Sequence, residues 1–147
     1  MNAHDIVFRI HTIVSSAFAA VALTVTIWSI IGWVKKLDSS KLFNRLSFFY
    51  IHLLYLQLFT GITLYFFLKP PDDSGSISLE QAIEHNSLRF WAIEHVSLML
   101  FALILAQTGR ILIKQMKNDY KKYRAATFYL GVSFLVVAAS VAMALFR

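Results

Sequence analysis

The stretch FWAIEHVSLMLFALILAQTGRILI, Phe90 to Ile113, decides how the rest of the chain is read. A helix crossing about 30 Å of hydrocarbon needs roughly 20 mostly apolar residues, and this run supplies them. Its chief polar interruptions are Glu94, His95, Gln107 and Arg110. Three further stretches read the same way: about Ile6 to Val34, Leu46 to Leu68, and Ala125 to Phe146. Short links between long apolar helices favour antiparallel neighbours. The expectation is an all-α fold, a four-helix transmembrane bundle running up-down-up-down, with residues 1–147 as a single integral membrane domain.

Composition agrees with a surface that meets lipid. Apolar residues make up 58% of the 147 and charged residues only 15%, against about 25% charged in soluble domains. Cysteine is absent, which excludes disulfides, iron–sulfur clusters, thiolate zinc sites and thioether-linked haem. The net charge of +6 does not point to nucleic acid, because the basic residues cluster in short segments flanking apolar spans.

Those flanks set an expected orientation. Lys35, Lys36, Lys41, Arg45, Arg110, Lys114, Lys117, Lys121, Lys122 and Arg124 fall on one side, and Arg9, Lys69, Arg89 and Arg147 on the other. The richer side is expected to be cytoplasmic, which puts both termini outside. Asp5 precedes the first apolar run and Lys35-Lys36 follows it, the wrong order for a cleaved signal, so that helix is expected to be retained. Tyr50, Tyr65, Trp28, Trp33 and Trp91 lie toward span ends, where amphipathic rings settle at the interface. In the outer link, Pro70 to Gly75 reads as a turn. Ser78-Leu79-Glu80-Gln81 reads as a capping box opening a short surface helix.

Ionisable groups within spans are costly and mark function or a partner. His11 enters near the outer end of the first helix, and Glu94 with His95 lies one turn into the third. At about 1.5 Å rise per residue, both histidines sit roughly 9 to 14 Å outward of the midplane. Two inward imidazoles from neighbouring helices at one depth suit the axial ligation of a b-type haem. Trp91, His95, Met99, Ala102, Ala106 and Gly109 share one face of the third helix at helical spacing, leaving room for a flat macrocycle. Ser15, Ser16, Ala19 and Ala20 lie near His11 on the first. Small side chains equally permit close helix packing, and His11, Glu94 and His95 can equally form a cofactor-free hydrogen-bonded clasp. A metal site from His4, His11, Glu94 and His95 is a third reading, since His4 and His11 lie seven residues apart.

His52 sits on the other half of the second helix, about 15 Å or more from the depth of His95, too far to share one iron. A layer of His52, Tyr55, Gln107 and Arg110 could hold a quinone head group, relay a proton, or satisfy itself. Gln57, Thr60 and Gly61 form a stripe that reads as helix packing. Thr24 and Thr26 can bond their own helix carbonyls. No nucleophilic triad, phosphate loop or two-metal carboxylate pattern is present, so hydrolase and phosphotransferase chemistry have no support. No span is interrupted by paired Gly or Pro in the manner of inverted-repeat transporters.

Nearly the whole chain resembles small four-helix bacterial membrane proteins labelled cytochrome b or cytochrome b-like. The resemblance is carried by His11, by Tyr55-Leu-Gln57-Leu-Phe-Thr-Gly61-Ile-Thr-Leu-Tyr65-Phe66, and by Leu88-Arg89-Phe90-Trp91-Ala-Ile-Glu94-His95 followed by Met99, Ala102 and Gly109. It implies membrane-bound electron transfer with b haem in a respiratory chain of the bacterial inner membrane, His11 and His95 carrying over as ligands. Such proteins often have His where this chain has Tyr55, and again after the glycine where it has Arg110, which leaves His52 as a displaced substitute. Two functions are therefore expected in competition: a haem-bearing electron carrier near the periplasmic face, or a cofactor-free accessory subunit of a larger respiratory or transport complex. Expected partners are lipid and either such a complex or further copies of the chain.

Overall fold

The computed structural model describes residues 2–68, 83–84 and 89–146. Among these residues the chain forms four long helices and no strand. Helix α1 spans Ala3–Lys35 and α2 spans Lys41–Ile62, continuing into a π-helical turn over Thr63–Phe67. Helix α3 opens with a π-helical turn over Phe90–His95 and runs on as Val96–Gln115, and α4 spans Asp119–Leu145. The Pro70 to Gly75 turn and the capping box at Ser78 lie outside the described residues.

Local chemistry explains where the helices begin and end. Asn2 caps α1 in a capping box, its side chain accepting from the Asp5 amide at 2.9 Å while Asp5 accepts from the Asn2 amide. At the other end Lys36 turns left-handed (φ 52°), and the Leu37 amide donates back to the Gly32 carbonyl at 3.0 Å, a helix-terminating geometry. Ser40 caps α2 and Asn118 caps α4. These caps start both helices several residues before their apolar stretches, so Lys41, Arg45, Lys121, Lys122 and Arg124 ride on helical turns rather than in loops.

Each helix is long and apolar enough to cross a membrane, and only 28–33% of its most apolar window is buried inside the molecule. The remaining apolar surface is left uncovered by the described residues, as lipid-facing surface requires. The protein is a four-helix transmembrane bundle. Helix α1 packs against α2 and α4, and α3 packs against the same two. Helices α1 and α3 therefore stand across the diagonal, not side by side as expected.

The core is layered by close approaches and buried hydroxyls. A Cβ on Gly109 would lie 2.4 Å from Tyr129 Cβ, and one on Gly32 would lie 2.6 Å from the Tyr123 ring. Ser133 on α4 donates to the Ala102 carbonyl of α3 at 2.8 Å, and Tyr50 on α2 donates to the Leu130 carbonyl of α4 at 2.8 Å. Tyr50 is fully buried; the expected interfacial ring is a core residue, because its hydroxyl finds a carbonyl on α4. Thr24 bonds the Ala20 carbonyl as expected, whereas the Thr26 hydroxyl is buried without a partner. At the end bearing the α1–α2 and α3–α4 links, the Ser39 amide donates to Asp119, which also pairs with Lys122 at 2.8 Å.

Candidate functional site: a histidine pair beside the chain termini

His11 and His95 lie at the end of the bundle that carries both termini. His11 is half-buried on α1, and its Nδ1 stands 2.8 Å from the Thr60 hydroxyl of α2. The same hydroxyl lies within reach of two carbonyls of its own helix, Leu56 at 2.8 Å and Gln57 at 3.1 Å. With its proton on one of these carbonyls, Thr60 accepts from His11 Nδ1. The neutral ring then carries its lone pair on Nε2. Gly61 makes the approach possible, since a Cβ there would come within 3.3 Å of His11 Cε1.

A second contact ties the same helices one turn deeper. Gln57 Nε2 donates to Ser15 Oγ at 3.2 Å, and Ser15 donates to the His11 carbonyl at 2.7 Å. Gln57 Oε1 is buried with no hydrogen-bond partner. The stripe of Gln57, Thr60 and Gly61, expected as simple helix packing, holds His11 in place.

His95 is half-buried on α3, and its Nδ1 meets the Ser140 hydroxyl of α4 at 2.7 Å. Trp91 packs edge-on against the imidazole with centroids 5.2 Å apart, and Phe90 lies at 6.2 Å. The two imidazoles stand at the same end of the bundle, on the two helices that face each other across the diagonal.

The π-helical turn arranges this cluster. Residues five apart lie about 140° apart around an α-helix. In the wider turn they come into register, so Arg89 reaches Glu94 at 3.4 Å and Phe90 meets His95. The same widening alters the face expected at 3.6 residues per turn. Met99, Ala102, Ala106 and Gly109 are buried, but Trp91 is 46% exposed. The small residues of that face are filled by α4 through Tyr129 and Ser133. Ser16, Ala19 and Ala20 of α1 face outward.

The other expected groupings do not assemble. No cluster of three or more His, Asp or Glu side chains able to hold a metal ion occurs among the described residues. His4 stacks on Phe8 and lies 3.8 Å from Asp5. His52 is exposed and rests on Phe48, its Nδ1 2.8 Å from the Phe48 carbonyl, with no hydrogen bond beyond its own helix among the described residues. Tyr55 is exposed while Gln107 and Arg110 are half-buried, and no hydrogen bond joins the four. Sequence reading missed Ser140, which sits among Ala138, Ala139 and Ala142 with nothing local to set it apart.

Fold and site together define a four-helix transmembrane bundle with a diagonal histidine pair. Searches against protein-family models, curated proteins and solved structures find no match for the chain.

Proposed function

We propose that this protein is a b-type cytochrome-like electron carrier of the bacterial inner membrane, in which His11 and His95 would hold the haem. The observation that carries this reading is the anchoring of both rings through Nδ1 to a hydroxyl on an adjacent helix. Histidines that ligate a metal through one nitrogen almost always donate the other ring N–H to a carboxylate, carbonyl or water, and a hydroxyl that accepts would orient the ring in the same way. The donor set therefore fits b haem, whose iron supplies one-electron transfer. Thr60 and Ser140 orient the ligands, and Gly61 lets the His11 ring lie close to α2. Glu94, paired with Arg89, places a carboxylate beside the site. The positive-inside bias supports cytoplasmic placement of the α1–α2 and α3–α4 links, with the termini and the histidine pair on the periplasmic side.

A second reading is favoured by the same contacts. His11 to Thr60 and His95 to Ser140 pin α1 to α2 and α3 to α4 without any cofactor, as an accessory subunit of a larger membrane complex would need. Interhelical bonds of this kind contribute about 0.6 kcal/mol each, up to about 1.7.

A reduced-minus-oxidised spectrum of protein produced with ample haem separates the two. The carrier reading expects near-stoichiometric haem with a Soret and α-band, and loss of the bis-histidine spectrum in both His11→Ala and His95→Ala. A colourless, folded protein would falsify it and leave the clasp.

A further inference from the structure

At the opposite end of the bundle a groove of about 560 Å³ opens between α1, α3 and α4. Its α4 wall is graded along one stripe. Lys121 and Arg124 come first, then Phe128 and Val132, three to four residues apart and so stacked turn upon turn. Leu112 of α3 and Met116, which caps its end, form a facing apolar wall, and Trp33 of α1 closes the rim. The groove is therefore cationic where the chain leaves its apolar span and apolar where it enters it.

Charge accounting separates these two cations from their neighbours. Lys122 is paired with Asp119 at 2.8 Å, and Asp119 also accepts from the Ser39 amide. Lys121 and Arg124 form no ion pair among the described residues, and both are exposed. Lys121 lies in the first turn of α4, where the helix dipole adds to the attraction for an anion, and Arg124 follows in the second. Guanidinium and ammonium side by side suit a phosphodiester, which takes the first as a fork and the second as a point charge. An amphipathic indole at the rim suits the headgroup level.

We infer that this groove binds an anionic phospholipid, its headgroup phosphate on Lys121 and Arg124 and an acyl chain along Phe128, Val132 and Leu112. The occupant is a lipid and not a free anion because the larger part of the wall is apolar and continues down the transmembrane surface. It does not depend on the haem reading, since the groove lies at the other end of the bundle.

Native mass spectrometry of the full chain, released from detergent after titration with phosphatidylglycerol or phosphatidylcholine of matched chains, tests the assignment. Preferential retention of one phosphatidylglycerol is expected. Each cation near an anionic headgroup is worth about a fivefold change in affinity, so Lys121→Gln with Arg124→Gln should weaken retention roughly 25-fold. Val132→Trp keeps both charges but fills the apolar part of the groove, and should also abolish the preference. Lys35→Gln with Lys36→Gln removes equal charge from the same end outside the groove and should leave the preference intact. Equal loss in that control, retention in either groove variant, or equal competition by glycerol phosphate would each overturn the proposal. Circular dichroism establishes that every variant tested is helical.

Discussion

Thr60 shows how one hydroxyl can decide the state of a histidine. With its proton on a carbonyl of its own helix, it accepts from the His11 ring at Nδ1 and leaves Nε2 with the lone pair. Thr60→Val keeps the shape and removes the acceptor. With haem bound, haem affinity is expected to fall about 10- to 100-fold, measured by haem transfer to an apo-globin acceptor. Ser140→Ala should act in the same direction through His95, although the Ser140 hydroxyl is free to donate or accept and its effect should be the smaller. Sequence made His11 and His95 legible because ionisable rings are rare in apolar spans. It did not reveal their partners, because Thr and Ser are unremarkable in membrane helices, where they bond their own backbone.

Between elements, glycine and π-helical geometry govern the packing. Gly109 allows α3 and α4 to approach until its missing Cβ would stand 2.4 Å from that of Tyr129, an atom that cannot rotate away. Gly109→Ala should therefore destabilise the bundle by about 1 to 3 kcal/mol. Gly131→Ala, whose added Cβ meets only Thr26 Cγ2 at 3.5 Å, should be neutral or gain up to about 1 kcal/mol of helix propensity. Thermal unfolding of both variants in one detergent compares them directly. The small-residue face of α3 was visible at helical spacing, and it is close packing that occupies it. The π-helical turns were not visible. The one over Phe90–His95 brings Arg89 over Glu94 and Phe90 beside His95, and no local preference announces an extra residue per turn.

For the whole molecule, orientation can be read chemically because the chain has no native cysteine. A single cysteine at Lys117, in the α3–α4 link, should react with a membrane-impermeant maleimide only in inverted vesicles. One at Asn2 should react only in intact spheroplasts. The reverse pattern would place the histidine pair on the cytoplasmic side and remove the periplasmic assignment. Phosphatidylglycerol dependence of stability should follow the basic end in either case, because Lys121 and Arg124 line a groove whose chemistry is set by the bundle itself.

Length and apolar runs were enough to determine four spans, because hydrocarbon thickness and helical rise are fixed by physics outside the protein. Which helices are neighbours, which hydroxyl each imidazole takes, and that α1 and α3 oppose one another came only from the tertiary structure. In lipid the outward and inward faces of a helix are both apolar, so periodicity loses the signal that identifies a core face in water. Tyr50 and His52 illustrate the consequence: two residues apart on α2, one is sealed in the core and the other stands on the outer surface. Only the arrangement of the other three helices could assign them.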